Sequence, residues 1–117
     1  MDILVVEDEH DVRVVLREIL EGAGWRVTTA ANGRDALACL RQGVRPALVL
    51  VDLWMPMMDG WQLIAALRDD PELAAIPVAV QTAHDEAKLP AGLAFVLVKP
   101  VDAGRLLAAV APYSSRH

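Results

Sequence analysis

The fold is decided by an apolar run that ends in an acid, Ala47-Leu48-Val49-Leu50-Val51-Asp52. An uninterrupted apolar run of this length is typical of a strand that is buried on both faces of a parallel sheet. Open α/β sheets bind their ligands at the carboxyl ends of the strands. The position of Asp52 therefore predicts a functional carboxylate at the end of a buried strand.

Two further apolar runs also end in charged residues. Residues 3–6 are followed by the acids Glu7 and Asp8, and residues 95–98 are followed by Lys99. Strand ends meet at one edge of a parallel sheet, so we expect these four side chains to converge there. A shorter run at 78–80 ends in Gln81-Thr82-Ala83 and adds a hydroxyl to the same edge.

Segments with helical periodicity alternate with the five strand candidates, which lie at 3–6, 25–30, 47–51, 78–80 and 95–98. Asn32, Asp59 and Asp102 are predicted helix N-caps, and Pro112 is expected to end the last helix. This alternation predicts a doubly wound parallel α/β sheet with helices on both faces. We expect one domain over residues 1–117, with a frayed tail at about 113–117.

Composition excludes several functional classes. The chain has 117 residues, 55% of them hydrophobic, and a net charge of −5, which argues against a direct nucleic-acid surface. It contains no apolar run long enough to span a membrane, and Met1 is not followed by a signal-peptide pattern. A single cysteine, Cys39, fits a reducing compartment, so we expect a cytoplasmic protein.

The acids at the predicted edge require a positive partner. If Glu7, Asp8 and Asp52 are neighbours, their charges repel unless a cation lies among them. A hard divalent ion with oxygen ligands meets this need, and Mg²⁺ is favoured over Ca²⁺ because few protein ligands are available. Lys99, the Thr82 hydroxyl and the Ala83 amide could then bind a phosphoryl group. An aspartate can itself attack phosphorus and form an aspartyl-phosphate.

The chain resembles the receiver domains of bacterial two-component response regulators over essentially its whole length. The resemblance rests on the segments at 3–9, 50–60, 81–83 and 98–100, in which Asp52 is followed by Met55-Pro56 and then by Asp59-Gly60. It implies a flavodoxin-like, doubly wound, five-stranded parallel sheet with strand order 2-1-3-4-5.

The resemblance also implies roles for the residues of the metal site. Asp52 would be the phospho-acceptor and a metal ligand. Asp8 would bind Mg²⁺ directly, Glu7 would bind it through water, and the main-chain carbonyl of Trp54 would be the third protein ligand.

The remaining implied roles concern the phosphoryl group and its source. Thr82 would be the switch hydroxyl, Lys99 would pair with the phosphoryl group, and the Ala83 amide would donate to it. A sensor histidine kinase or phosphotransfer protein would be the donor, and an unidentified downstream protein would read the change. Such a domain is not an enzyme in the usual sense, because its chemistry is limited to Mg²⁺-dependent self-phosphorylation and slow self-dephosphorylation.

Two features depart from the family pattern. The stretch between Thr82 and Lys99 is short, so the helix between the fourth and fifth strands is expected to be short or absent. Val96 occupies a position where the family usually has an aromatic residue, and Phe95 should point to the opposite face. We therefore expect the loop at 84–92, rather than an aromatic rotamer, to carry the output.

Other functions remain open on sequence alone. The same fold could serve as a phosphorylation-independent interaction module. A Mg²⁺-dependent phosphohydrolase is less favoured, because such enzymes usually carry a second aspartate where this chain has Trp54. The start at Met1 and the polar tail favour a free-standing protein over a domain cut from a larger one.

Overall fold

The computed structural model describes residues 1–83 and 89–114, within which it contains five strands and four helices. The strands are β1 (Asp2–Val6), β2 (Arg26–Ala30), β3 (Leu48–Asp52), β4 (Val78–Thr82) and β5 (Val96–Val98). The helices are α1 (His10–Gly22), α2 (Gly33–Arg41), α3 (Gly60–Asp69) and α4 (Ala103–Ser114).

All five strands form one parallel sheet in the order β2-β1-β3-β4-β5. The predicted doubly wound architecture is therefore confirmed. Two strands extend further at their carboxyl ends than predicted, because β3 includes Asp52 and β4 includes Gln81 and Thr82. Both extensions pair with neighbouring strands, so these polar residues belong to the hydrogen-bonded sheet and not to the loops that follow.

Helices cover both faces of the sheet and form two cores. Along β1, Ile3 and Val5 face a core that includes residues of α1 and α4, whereas Leu4 and Val6 face a core that includes residues of α2 and α3. This alternation is the pleat of a strand, which sends successive side chains to opposite faces. Because both faces are covered, the sheet is exposed mainly at its edges and strand ends.

The helix starts follow the predicted caps, and one predicted helix end is wrong. Asn32 accepts a hydrogen bond from the amide of Asp35 at 2.8 Å, and Asp102 accepts one from Arg105 at 3.0 Å. Asp59 forms a capping box with Gln62. Helix α4 continues through Pro112 to Ser114, because the fixed φ of proline suits helical backbone and near the end only one hydrogen bond is lost.

The connection from β4 to β5 has no helix within its described residues, 83 and 89–95. Residues 84–88 lie outside the described part of the chain, so the expected output role of the 84–92 loop stays a prediction. Phe95 lies on the α1 and α4 side, as expected, and its ring centroid is 6.1 Å from that of Tyr113. Val96 and Val98 on the edge strand are 39% and 51% exposed.

Two remaining sequence expectations concern the chain's end and its relation to membranes. Residues 113 and 114 are helical, and residues 115–117 lie outside the described ranges. Within the described ranges, none of the helices has the length and apolar character that a membrane span requires.

A close backbone approach at Gly60 fixes the loop that follows β3. The amide of Gly60 donates to the carbonyl of Leu53 at 2.9 Å. A Cβ added at Gly60 would lie 2.7 Å from the Cα of Leu53 and 2.8 Å from the carbonyl oxygen of Asp52. Only glycine therefore allows α3 to begin this close to the functional end of β3.

We predict that Gly60→Ala destabilises the protein by about 1–3 kcal/mol, because the added methyl group has to displace backbone atoms. The matched control is Gly22→Ala, where a Cβ meets no atom within 4 Å. Urea unfolding of both variants provides the comparison. Equal unfolding free energies for the two variants would contradict the proposed steric constraint.

Candidate functional site

Three polar side chains form a row across the carboxyl ends of adjacent strands. Asp52 on β3 is the register partner of Gln81 on β4, and Glu7 directly follows β1 on the other side of β3. All three lie at positions whose side chains face the α1 and α4 side, because their alternation matches Val5, Leu50 and Ala79. The row is buried: Glu7 and Gln81 are 0% exposed and Asp52 is 5% exposed.

Lys99 joins two of these carboxyl groups. Its Nζ atom lies 2.8 Å from Oδ2 of Asp52 and 2.8 Å from Oε1 of Glu7. The backbone amide of Lys99 donates to the carbonyl of Thr82 at 2.7 Å, which fixes the lysine just beyond β5. The peptide bond between Lys99 and Pro100 is cis.

Glu7 is held by hydrogen bonds to both carboxylate oxygens. Its Oε1 accepts from Gln81 Nε2 at 3.1 Å, and its Oε2 accepts from the amide of Glu9 at 3.2 Å. Burial nevertheless raises the pKa of Glu7 from its ordinary value of 4.5 to about 7, and the charge of Asp52 adds to this effect. The hydrogen bonds from Lys99 and Glu9 oppose the rise but do not overcome it.

The balance of effects is the opposite for Lys99. Burial lowers the pKa of this ammonium group, but the hydrogen bonds and charges of Asp52 and Glu7 outweigh burial. The net pKa therefore lies above the ordinary lysine value, and Lys99 is a fixed positive charge at neutral pH.

The carboxylates of the acidic cluster lie close enough together to hold a metal ion. Glu7, Asp8 and Asp52 each offer a carboxylate oxygen, and these oxygens lie within 4.8 Å of one another. Asp8 is exposed, so the cluster is open to solvent on one side. With all three acids ionised, the cluster and Lys99 together carry two net negative charges, which a divalent cation would neutralise.

The two loops beside the cluster are held by backbone contacts. Arg13 on α1 donates to the carbonyl of Glu7 at 2.8 Å and so secures the loop that carries Asp8. The amide of Trp54 donates to Oδ1 of Asp52 at 3.2 Å. Trp54 is 54% exposed, and its ring meets that of Trp61 edge-on, with the ring centroids 4.7 Å apart.

Thr82 at the end of β4 and Ala83 directly after it lie next to Lys99. Thr82 is 1% exposed, and its carbonyl holds the Lys99 backbone. Ala83 lines a groove of about 600 Å³ beside α1, together with Lys99 and Gln81. The structure thus brings together Glu7, Asp8, Asp52 and Lys99. Thr82 and Ala83 lie beside Lys99, and the backbone of Trp54 contacts Asp52.

Comparison with known proteins shows the family to which the chain belongs. The sequence model of the response regulator receiver domain matches residues 3–111. The chain belongs to this family. The receiver domain is 42% identical to a response regulator receiver protein of Anaeromyxobacter, with 89% of this chain and 44% of that protein covered. It is 37% identical to Protein PilH of Pseudomonas aeruginosa, with 90% of each chain covered.

Solved structures agree with the fold as well as the family. The chemotaxis protein CheY4 of Vibrio cholerae superposes on this receiver domain with a TM-score of 0.87 and 28% sequence identity. The match covers 96% of this chain and 97% of CheY4. The chain spans less than half of the Anaeromyxobacter relative, so that protein has additional sequence outside the shared domain.

Sequence reasoning missed one residue of this receiver domain's site, Gln81. The sequence predicts that Gln81 lies beyond the strand at 78–80, whereas it is a buried strand residue whose side chain donates a hydrogen bond to Glu7. A signal was present in the sequence, because a long polar side chain directly follows the apolar run Val78-Ala79-Val80.

We predict that Glu7 lowers the stability of the metal-free receiver domain as the pH rises from 4.5 to about 7. Its pKa is raised on folding, so the folded state holds the proton longer, and its stabilising contribution is lost as the pH rises through the folded pKa. The unfolding free energy of wild type relative to Glu7→Gln should fall by at most about 1.4 kcal/mol per pH unit across this window. Urea unfolding in EDTA measures this difference, and a flat or rising difference would contradict it.

Proposed function

We propose that this receiver domain accepts a phosphoryl group on Asp52 from a sensor histidine kinase or phosphotransfer protein in the presence of Mg²⁺, and thereby switches its protein interactions. The observation that carries the proposal is the position of Lys99 Nζ, 2.8 Å from both Asp52 and Glu7. A phosphoryl group on Asp52 would meet the Lys99 ammonium on one side. On the other side it would meet a metal ion held by the acidic cluster of Glu7, Asp8 and Asp52.

The transfer is a displacement at phosphorus. An Oδ atom of Asp52 attacks the phosphorus of a phosphohistidine, an O–P bond forms, and the P–N bond breaks. The leaving imidazole takes up a proton, and Asp52 becomes an acyl phosphate. Positioning and charge neutralisation supply most of the rate enhancement in such reactions.

The residues present fit Mg²⁺. The donors are carboxylate oxygens, which hard divalent cations prefer, and their small number suits an ion that keeps several waters. Asp8 and Asp52 would bind the ion directly, Glu7 would act through water, and the Trp54 carbonyl would complete the protein ligands. When bound, Mg²⁺ would neutralise negative charge on the phosphoryl oxygens.

Lys99, Thr82 and Ala83 would receive the phosphoryl group. The Lys99 ammonium contacts Asp52 Oδ2 directly, so it is close enough to move onto a phosphoryl oxygen bonded there. The Thr82 hydroxyl and the Ala83 amide would donate to the other oxygens. A phosphoryl group adds negative charge and strong acceptors at one point, and neighbouring backbone then rearranges around it.

In this proposal the domain works as a signalling module rather than as an enzyme with a separate substrate. Its chemistry is its own phosphorylation and slow dephosphorylation, and its partners are a phosphodonor protein and a downstream protein in the cytoplasm. The relative PilH and the structural neighbour CheY4 are of similar size, since this chain covers 90% and 97% of them.

We predict that beryllofluoride with Mg²⁺, which imitates a phosphoryl group on aspartate, raises the melting temperature by roughly 5 °C or more, because the ligand binds only the folded state. Asp52→Asn should abolish the rise. The matched control, Asp69→Asn, changes an exposed aspartate on α3 and should leave the rise intact. The melting temperature can be followed by circular dichroism.

The same experiment separates the proposal from its main alternative. If wild type gains no thermal stability from beryllofluoride and Mg²⁺, the fold acts as a phosphorylation-independent interaction module. An equal rise in wild type and Asp52→Asn would place the ligand away from Asp52 and would also contradict the proposal.

A further inference from the structure

The buried amide of Gln81 spans the strand that carries Asp52. Strand β3 lies between β1 and β4, yet Nε2 of Gln81 on β4 donates to Oε1 of Glu7 at the end of β1, at 3.1 Å. Adjacent strands are about 4.8 Å apart, so only two long side chains can meet across an intervening strand. The short side chain of Asp52 lies in the same row between them.

This hydrogen bond controls the orientation of Glu7. The Oε1 atom that accepts from Gln81 also contacts Lys99 Nζ at 2.8 Å, whereas Oε2 is directed to the amide of Glu9. Without the side-chain amide of Gln81, the Glu7 carboxylate would keep only Lys99 on Oε1 and the Glu9 amide on Oε2. The carboxylate could then rotate while the Lys99 side chain followed it. The amide therefore fixes which oxygen faces Lys99 and Asp52.

Gln81 also has a feature that is unfavourable for stability. Its Oε1 atom is buried and has no hydrogen-bond partner among the described residues. Buried acceptors without a partner are rare in folded proteins and are unfavourable compared with an apolar side chain of the same size. Gln81 pairs in register with Leu97 on β5, so the site is otherwise suited to an apolar residue.

We propose that Gln81 is a positioning residue for the metal and phosphoryl site, acting through the Glu7 carboxylate. The inference rests on the proposed function, because it assigns Gln81 a role in Mg²⁺ binding at that site. Partners that orient a metal-binding carboxylate commonly change metal affinity by 10–100-fold when they are removed. A residue that only filled space would affect folding and not the affinity for the ion.

Gln81→Met tests this role, because methionine has a similar length and fills irregular apolar space but cannot donate a hydrogen bond. Mg²⁺ affinity is measured by tryptophan fluorescence, since the backbone amide of Trp54 donates a hydrogen bond to Asp52. Urea unfolding in EDTA measures the stability of the metal-free protein. We expect the Mg²⁺ dissociation constant of Gln81→Met to rise about tenfold, with metal-free stability equal to or above that of wild type.

Two further variants sharpen the test. Gln81→Asn keeps the amide but shortens its reach by one methylene group, so it should also weaken Mg²⁺ binding. Gln42→Met makes the same chemical change at the exposed C-cap of α2 and should leave Mg²⁺ affinity unchanged.

Each outcome distinguishes the inference from the proposed function. If wild type fails to bind Mg²⁺, or Asp52→Asn binds it equally well, the proposed function fails. If wild type binds Mg²⁺ and Gln81→Met binds it within twofold, only the role of Gln81 is overturned. That role is also overturned if Gln81→Met loses Mg²⁺ affinity together with metal-free stability, or fails to fold while Gln81→Asn folds and binds like wild type.

Discussion

The site depends on one ammonium group shared between two buried carboxylates. Lys99 Nζ lies 2.8 Å from both Glu7 and Asp52, and Glu7 is 0% exposed. Two acids at this separation from one cation would repel each other and resist ionisation if the lysine were absent. Removing one partner of a buried ion pair typically costs about 3–5 kcal/mol, because the remaining charge is left unpaired. Lys99 thus makes a concentrated acidic site compatible with a folded sheet, and the pKa of Glu7, raised to about 7, shows that the compensation is incomplete. A divalent cation would offset the remaining cost of these buried negative charges.

The geometry of the site follows from the topology of the sheet. Parallel order places the ends of β1, β3, β4 and β5 side by side, and the Lys99 amide bonded to Thr82 holds the lysine at the end of this row. The loops add precision: Arg13 secures the backbone at Glu7, and Gly60 allows α3 to begin against Leu53. The charged groups lie at the strand ends or directly after them, whereas Val96 and Val98 on the edge strand β5 are exposed. A change of charge at Asp52 would therefore act first on β4 and β5, the strands nearest to Lys99 and Thr82.

Much of this arrangement could be predicted from local sequence. The apolar runs that end in Glu7, Asp52 and Lys99 are each recognisable as strands from local sequence. The parallel order of these strands then places their carboxyl ends together. The caps at Asn32 and Asp59 are also local signals and were confirmed. The role of Gln81 could not be read in this way, because its partner Glu7 is 74 residues away and their contact depends on side-chain length across an intervening strand. The continuation of α4 through Pro112 was missed for a different reason, since a proline near a helix end disturbs too few hydrogen bonds to terminate it.

The central claim is that the Asp52 carboxylate accepts the phosphoryl group. It is tested most directly by incubating the protein with acetyl phosphate or phosphoramidate and Mg²⁺, reducing the product with borohydride, and locating the modified residue by mass spectrometry. Reduction converts an aspartyl-phosphate to homoserine, so the account predicts homoserine at position 52 that depends on both the phosphodonor and Mg²⁺. Modification at a different residue, or an unmodified Asp52 while a control receiver domain is phosphorylated under the same conditions, would contradict it.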